Sequence, residues 1–135
     1  MNIAIVGATG NVGRKLLEVL NKKKFPITEI FLVASPKSVG KKINFRDKEL
    51  IVEDLNNFDF SKVKIAFFAA GSAIAEKWAP IVAEKTIVID NSKFFRKDPE
   101  IPLVVPEVNS NELSKFKNKN IISNANCSVI PVVVA

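Results

Sequence analysis

Hydrophobic and polar residues follow two different periods along the chain. An apolar run at residues 2–6 leads into a glycine-rich turn, after which apolar residues recur at helical spacing up to the lysines at 22–24. A second apolar run at 29–34 follows a break at Phe25 and Pro26. Short apolar runs bounded by turn residues are typical of buried strands, and the helical period is typical of an amphipathic helix. This part of the sequence therefore predicts a strand–helix–strand unit.

The remaining segments continue the alternation of strands and helices. Alternating residues at 41–53 around a polar turn predict a hairpin, and the apolar run at 63–70 predicts a strand buried on both faces. Ser72 is the expected N-cap of a helix that reaches about residue 84, with Pro80 expected to kink or interrupt it. The other predicted segments are a strand at 86–90, an irregular connection at 91–109, a short helix at 110–116, a strand at 120–123 and an apolar segment after residue 127. The order predicts a Rossmann-like, doubly wound α/β fold with a mostly parallel sheet, helices on both faces and ligands at the carboxyl ends of the strands.

Composition narrows the class of protein. The chain has 135 residues, of which 47% are hydrophobic and 25% charged, as in one folded domain. No apolar run approaches the roughly 20 residues that span a bilayer, and no basic segment precedes the first apolar run, so we expect a cytoplasmic protein without a membrane partner. A single cysteine and no histidine exclude an internal disulfide, a serine hydrolase triad and a zinc deaminase site, and make a zinc site improbable. We therefore expect no metal.

The net charge of +6 and the pI near 9.5 raise the possibility of a nucleic-acid partner. Seventeen of the 20 basic residues are lysines, and they are scattered instead of being interleaved with aromatic residues. This distribution favours a solvated lysine-rich surface, and no nucleic-acid partner is expected. The alternative predicts an affinity that falls steeply with salt and shows no preference for a dinucleotide.

Three glycines at positions 7, 10 and 13 lie directly after the first predicted strand and before the first predicted helix. Glycine lets the backbone turn tightly and approach a pyrophosphate, and a helix N-terminus supplies unpaired N–H donors. In this strand–helix–strand setting the loop predicts a dinucleotide site. The alternative is a simple glycine turn.

The end of the second predicted strand distinguishes NADP from NAD. NAD-binding domains place an acidic residue about 20 residues beyond the glycine loop to bind the ribose 2′-hydroxyl. In this chain no carboxylate lies between Glu29 and Asp47, and the corresponding segment offers serine hydroxyls and Lys37, with Lys41 nearby. We therefore predict NADP as the cofactor. A loop lysine exposed to solvent is the alternative interpretation of Lys37.

Cys127, the only cysteine, follows a predicted strand at what resembles a helix start. A lone cysteine is usually a small core residue. A helix N-terminus, however, favours thiolate over thiol, and a thiolate at the carboxyl edge of the sheet would face the cofactor. The position of Cys127 therefore predicts a nucleophile, and thiolate with nicotinamide suggests aldehyde oxidation through a thiohemiacetal and an acyl thioester.

Together these segments resemble the N-terminal half of aspartate-semialdehyde dehydrogenase. The segments are GATGNVG at residues 7–13, ASPKSVGK at 34–41, FFAAGS at 67–72, VIDNSKFFRKDPEIPLVVPEVN at 88–109 and NANCS at 124–128. The resemblance implies reversible, NADPH-dependent reduction of L-aspartyl 4-phosphate to L-aspartate 4-semialdehyde and phosphate, on the route to diaminopimelate, lysine, methionine and threonine.

The resemblance also implies roles for individual residues. Cys127 resembles the acyl-thioester nucleophile, and Asn126 and Arg96 resemble residues that bind the substrate or its phosphate. Asp90 and Asn91 are expected to brace their loop. The expected cofactor contacts are the pyrophosphate loop with Gly7, Thr9, Gly10, Asn11, Val12 and Gly13, the 2′-phosphate loop with Ser35, Lys37 and Ser38, and the turn Ala70, Gly71 and Ser72.

The departures from the family pattern shape the expected domain organisation. Many relatives read NPNCSTIQ around the nucleophile, where this chain has Ala125 and Pro131. The family places its general-base histidine in a second domain, and this chain contains no histidine. We therefore expect residues 1–135 to be the NADP-binding domain of a longer two-domain enzyme, inactive alone and homodimeric when intact. The alternatives are a relative of N-acetyl-glutamyl-phosphate reductase, which usually has a tyrosine and a proline after its nucleophile, and a non-catalytic NADP-binding module.

Overall fold

One eight-stranded sheet organises the chain in a computed structural model that describes residues 1–135. The strands are β1 (Ile3–Val6), β2 (Ile30–Ala34), β3 (Lys42–Phe45), β4 (Lys48–Asp54), β5 (Ile65–Phe68), β6 (Ile87–Asp90), β7 (Leu103–Val104) and β8 (Ile121–Asn124). The helices are α1 (Asn11–Lys22), α2 (Ser72–Ala83), α3 (Pro106–Asn109) and α4 (Ile130–Val134). Shorter 3-10 segments cover Pro36–Ser38, Phe60–Lys62, Phe94–Lys97 and Ser110–Asn118. None of the helices combines the length and the apolar composition that crossing a membrane requires.

The sheet has the strand order β3-β4-β2-β1-β5-β6-β8-β7. Only the predicted hairpin, β3 with β4, is antiparallel, and every other neighbouring pair is parallel. The chain moves outward from β1 to β2 and β4, then returns to β5 on the other side of β1. The direction of winding therefore reverses between β1 and β5, which is where open α/β sheets bind ligands. The predicted doubly wound, mostly parallel sheet is confirmed.

Two hydrophobic clusters cover the two faces of the sheet. Successive side chains of a strand point to opposite faces, so Ile3 and Ile5 of β1 pack with Leu17 and Leu20 of α1, whereas the opposite face of β1 packs with α2. The second cluster contains Ala4, Val6, Val33, Ala66, Phe68, Ala75, Ala79, Val82 and Val88. All four side chains of β1 are fully buried, which fixes the strand whose carboxyl end carries the glycine loop.

The start and the middle of α2 differ from the sequence-based expectation. Gly71, at φ +86°, is the N-cap, and Ser72 is the first helical residue and makes no capping hydrogen bond. The helix also continues through Pro80 to residue 83. Proline removes the hydrogen bond to the carbonyl four residues earlier, which belongs to Glu76. Pro80 and Glu76 are both exposed, so water can solvate that carbonyl and the helix is not interrupted.

The segment at residues 91–109 is more ordered than the sequence predicts. It contains a 3-10 turn, the edge strand β7, which pairs in parallel with β8, and the single turn α3. Buried Phe95, Ile101 and Val104 anchor it to the domain. The expected short helix at 110–116 is instead a 3-10 segment, Ser110–Asn118. This segment thus positions the loop after β6 against the end of β8.

Candidate active site

The predicted site residues all lie in segments that follow the carboxyl ends of parallel strands. These ends meet at one edge of the sheet, so the residues share that edge although they are far apart in sequence. In chain order, Gly7, Thr9, Gly10, Asn11, Val12 and Gly13 follow β1; Ser35, Lys37 and Ser38 follow β2; Ala70, Gly71 and Ser72 follow β5; Arg96 follows β6; and Asn126 and Cys127 follow β8.

Two of the three loop glycines are required by close backbone contacts. Gly7 has φ +86°, and a Cβ atom there would lie 2.7 Å from the carbonyl carbon and oxygen of Ala69. A Cβ atom on Gly13 would lie 2.4 Å from the Gly7 oxygen and 2.8 Å from the Cα atom of Ala8. Gly7 thus lets the loops after β1 and β5 touch, and Gly13 lets α1 pack on the glycine loop, as predicted for close helix packing.

Gly10 has no such neighbour. A Cβ atom there would meet only the Gly7 oxygen, at the ordinary contact distance of 3.4 Å. Gly10 is also the N-cap of α1, with φ −78° and no side-chain cap. The backbone N–H groups of Asn11, Val12 and Gly13 make no hydrogen bond within the protein. The first turn of α1 therefore offers unpaired donors and the positive end of the helix dipole to an anion.

The loop after β2 meets the glycine loop. Thr9 Oγ1 donates a hydrogen bond to Ser38 Oγ at 3.3 Å. Lys37 lies in the 3-10 turn Pro36–Ser38, is exposed and makes no ion pair or side-chain hydrogen bond. Its ammonium group is therefore free to bind an anion beside the two hydroxyls.

A buried carboxylate shapes the loop after β6. Asp90 is completely buried and accepts hydrogen bonds from the Ser92 backbone N–H at 3.1 Å and from Ser92 Oγ at 2.6 Å. Ser92 Oγ in turn accepts from the Phe94 N–H at 3.1 Å. Burial raises the pKa of Asp90, while the hydrogen bonds from Ser92 and the charge of Arg96 oppose that rise. Asp90 thus braces the turn that leads to Arg96, as expected from the sequence.

Arg96 connects this loop to the end of β8. Its Nε donates to the backbone oxygen of Asn124 at 3.0 Å, and its Nη2 donates to the backbone oxygen of Asn91 at 3.2 Å. The Asn124 side-chain Nδ2 donates to Asn91 Oδ1 at 2.8 Å. Arg96, Asn91 and Asn124 therefore form a closed ring of hydrogen bonds, which we call the Arg96 ring.

Cys127 lies in a turn at residues 126–129 and is exposed. Exposure excludes the alternative that Cys127 is a core residue. Asn126 Oδ1 shapes the turn by accepting from the Ser128 N–H at 2.9 Å and from the Cys127 thiol at 3.5 Å. The expectation that Cys127 begins a helix is wrong, because α4 starts only at residue 130 and has five residues. A turn precedes the helix in the chain because the Asn126 side chain accepts a hydrogen bond from the Ser128 N–H.

The two departures from the family pattern fit this local structure. Ala125 is buried, with 6% of its surface exposed, directly between the Arg96 ring and the Cys127 turn. Pro131 lies in the first turn of α4, where the missing N–H of proline costs no helical hydrogen bond. Neither residue disturbs the turn.

Comparison with known proteins identifies the family. The family model described as semialdehyde dehydrogenase, NAD binding domain, matches residues 2–116. The chain belongs to this family. It is 52% identical over 135 residues to aspartate-semialdehyde dehydrogenase 2 of Vibrio cholerae, covering 99% of this chain and 40% of that protein. This chain thus spans about two fifths of the length of such relatives and matches their N-terminal part.

Solved structures agree with this assignment. The crystal structure of aspartate semialdehyde dehydrogenase II complexed with ASA from Vibrio cholerae matches with a TM-score of 0.95 and 52% identity, covering 97% of this chain and 43% of that chain. Aspartate semialdehyde dehydrogenase with NADP from Candida albicans matches with a TM-score of 0.78 and 25% identity, covering 98% of this chain and 45% of that chain. The semialdehyde dehydrogenase domain described here is therefore a nicotinamide dinucleotide-binding domain.

Contacts between neighbouring loops run along the whole edge of this semialdehyde dehydrogenase domain. They pass from Ser38 to Thr9, from Gly7 to Ala69, from the Phe68 oxygen to the Asn91 N–H at 3.0 Å, and through the Arg96 ring to Asn124. The loops after β1 and β8 are three strand positions apart, or about 14 Å at the usual strand spacing of about 4.8 Å. The glycine loop and Cys127 thus do not touch, but one extended ligand can lie between them.

Sequence reasoning missed the role of Asn124. The sequence predicts a strand that ends at residue 123 and indicates no role for Asn124 beyond its place in the NANCS segment, whereas β8 ends at Asn124. The available signal was a polar residue at the carboxyl end of a strand, in a chain where another asparagine, Asn91, directly follows the neighbouring strand β6.

One groove on the surface of the domain lies outside this site. It has a volume of about 620 Å³ and is lined by residues of β2, β4 and the hairpin turn, including Phe31, Ile51 and Arg46. It contains none of the predicted site residues, and no group of three or more histidine, cysteine or carboxylate side chains is placed to hold a metal ion. The chemical groups of the predicted site residues, and not the volume of a groove, therefore identify the carboxyl edge of the sheet as the candidate site.

Proposed function

We propose that this chain is the NADP-binding and nucleophile-bearing domain of an aspartate-semialdehyde dehydrogenase. The proposed reaction is the reversible, NADPH-dependent reduction of L-aspartyl 4-phosphate to L-aspartate 4-semialdehyde and phosphate. The observation that carries the proposal is an exposed thiol, Cys127, on the same sheet edge as a glycine loop with unpaired N–H donors. The relatives of this chain are aspartate-semialdehyde dehydrogenases, which supports the same reaction.

The cofactor would lie along the carboxyl edge. Its pyrophosphate would bind the free N–H groups at the start of α1, where Gly10 presents no side chain. Its 2′-phosphate would bind Lys37 together with the hydroxyls of Ser35 and Ser38, since no carboxylate occupies this loop. The nicotinamide would then extend past the turn at residues 70–72 toward Cys127. NADPH supplies a hydride when bound.

Cys127 would perform the covalent step. Its thiolate attacks the acyl carbon of aspartyl phosphate, a C–S bond forms, and the C–O bond to phosphate breaks, so phosphate leaves with the electron pair. The resulting thioester accepts a hydride and becomes a thiohemiacetal, which expels the thiolate and yields the aldehyde. The general base would come from the part of the relatives that this chain does not span, because this chain contains no histidine.

Arg96 and Asn126 would hold the phosphoryl group. A guanidinium has five N–H donors, and Arg96 uses one at Nε and one at Nη2 for backbone oxygens. Both donors at Nη1 remain, and they match the planar geometry with which arginine binds phosphate. Asn126 lies next to Cys127 and would contribute its amide N–H₂ group, because its Oδ1 already accepts from the turn.

The cofactor assignment is tested by titrating NADP and NAD into the wild-type chain and into Lys37→Ala. Loss of a charged contact to phosphate is expected to weaken NADP binding about tenfold or more and to leave NAD binding unchanged. Lys22→Ala is the matched control, because Lys22 lies in the last turn of α1, at the opposite end of that helix. Tighter binding of NAD than of NADP to the wild-type chain would contradict the assignment.

The proposed division of the enzyme is tested by measuring semialdehyde-dependent NADPH formation. The 135-residue chain alone should bind cofactor and show no turnover, while the intact enzyme, which we propose is a homodimer, should show Cys127-dependent turnover. Turnover by this chain alone at the rate of an ordinary enzyme would overturn the proposed two-domain organisation. Turnover by the intact Cys127→Ser variant would overturn the assigned nucleophile.

A further inference from the structure

The Arg96 ring joins the two loops that carry the reactive groups. Arg96, Asn91 and Asn124 each make a hydrogen bond to both other members, and all three contacts are partly buried. The ring connects the end of β6 to the end of β8, two neighbouring parallel strands. It is therefore a side-chain link between the loop of the guanidinium and the loop of the thiol.

The short segment between the Arg96 ring and Cys127 is held in place by packing and hydrogen bonds. Asn124 is the last residue of β8, Ala125 is buried, and Asn126 closes the turn that presents the thiol. On the other side, the buried Asp90 and Ser92 pair fixes the turn that leads to Arg96, and Phe95 is buried. Moving Asn124 relative to Asn91 would therefore move the thiol relative to the guanidinium.

We propose that Asn91 and Asn124 are positioning residues that hold Cys127 and the Arg96 guanidinium in a fixed relation. The proposal rests on the function proposed above, in which one acyl phosphate engages both groups. The phosphoryl group must lie at the guanidinium while the acyl carbon lies at Sγ, so the separation of the two groups decides whether attack occurs. The asparagine pair sets that separation without touching the substrate.

The single cysteine allows a direct measurement in this chain. The rate of alkylation of Cys127 is measured with iodoacetate, which is anionic, and with iodoacetamide, which is neutral, across a range of pH. The ratio of the two rates reports positive charge near the thiol. The wild-type ratio should exceed that of the urea-unfolded chain by a factor of about three, which is the effect of one unit charge about 6 Å away in a water-like dielectric.

Asn91→Ala and Asn124→Ala should each lower this ratio toward the unfolded value by the same amount, because each removes the hydrogen bond between Asn124 Nδ2 and Asn91 Oδ1 and leaves the bonds from Arg96 to the two backbone oxygens in place. The double variant should be no lower than the single variants, because either change already breaks the same link. Asn109→Ala is the matched control, since Asn109 also makes two hydrogen bonds that brace a loop, to Leu103 and Val105, but does not contact the Arg96 ring. Its ratio should equal that of the wild type.

A double leucine variant, Asn91→Leu with Asn124→Leu, keeps the branched side-chain shape without the hydrogen bond and serves where an alanine variant does not fold. A wild-type ratio in the folded asparagine variants, or an equal loss in Asn109→Ala, would overturn the proposal. Inorganic phosphate is the separate test of the proposed function, because it should slow alkylation of the wild-type chain through Arg96. If phosphate does not slow alkylation but the ratio still depends on Asn91 and Asn124, the proposed phosphate site is wrong and the proposed positioning role is supported.

Discussion

Gly13→Ala is expected to destabilise the domain, although alanine favours helices. The added Cβ atom would lie 2.4 Å from the Gly7 oxygen and 2.8 Å from the Ala8 Cα atom. Overpacking costs about 1–3 kcal/mol, and the upper end applies because backbone atoms cannot rotate away. The gain in helix propensity returns about 1 kcal/mol. The net expectation is a loss of about 2 kcal/mol in the free energy of unfolding.

Thermal and urea unfolding measure this loss. For a chain of this size, about 2 kcal/mol corresponds to a decrease in Tm of roughly 6–10 °C. Gly10→Ala is the control, because its Cβ atom would meet only the Gly7 oxygen at 3.4 Å. It should cost at most about 1 kcal/mol, because alanine is a poorer N-cap residue than glycine, and it should therefore cost clearly less than Gly13→Ala. An unchanged Tm in Gly13→Ala would refute the argument that α1 requires glycine to pack on the loop.

The remaining predictions concern buried polar groups. Because burial raises the pKa of Asp90, the folded state binds a proton at this carboxyl group more tightly than the unfolded state does. The free energy of unfolding of the wild type, relative to that of Asp90→Asn, should therefore rise as the pH falls from neutral toward 3.8. Urea unfolding at several pH values measures this difference. A difference in the free energy of unfolding between the two proteins that does not change with pH would contradict this prediction. Ser123 Oγ is buried without a hydrogen-bond partner, so Ser123→Ala should be neutral or stabilising by about 1 kcal/mol. Ser92→Ala should instead cost about 1–3 kcal/mol, because it removes the hydrogen bond to the buried Oδ2 atom of Asp90. Equal Tm decreases for the two serine variants would contradict this comparison.

The sequence revealed those parts of the fold that local chemistry determines. The glycine loop is recognisable in the sequence because the close contacts of Gly7 and Gly13 exclude every larger residue. The strands β1 and β5 are recognisable because they are fully or largely apolar. The edge strand β7 was missed because two residues show no alternation, and it exists only through its register with β8. The expectation that Pro80 kinks or interrupts α2 was wrong, because helix propensity does not show that the Glu76 carbonyl freed by the proline faces water.

The same distinction applies to the candidate site. The proposed cofactor half of the site would use the unpaired backbone N–H groups at the start of α1, which a motif of neighbouring residues predicts. The nucleophile half depends on contacts between distant residues, such as the 2.8 Å hydrogen bond between Asn124 and Asn91, which lie 33 positions apart. Which side chains meet there depends on the strand order β6-β8, and no local pattern contains that order. The sequence predicts that Cys127 follows a strand, as it does in the structure, but it does not predict the Arg96 ring.

The Arg96 ring also gives a physical reason for arginine, instead of lysine, at position 96. One guanidinium reaches two backbone oxygens on different loops and keeps the Nη1 donors in the same plane for an anion. A lysine ammonium would provide the charge but not this fixed plane, so it could bind phosphate or join the loops, and not both in a defined orientation. In the proposed mechanism, the charge that stabilises an acyl phosphate and the geometry that aims the thiol at it therefore depend on one side chain, whose direction is set by its hydrogen bonds to the backbone oxygens of Asn91 and Asn124.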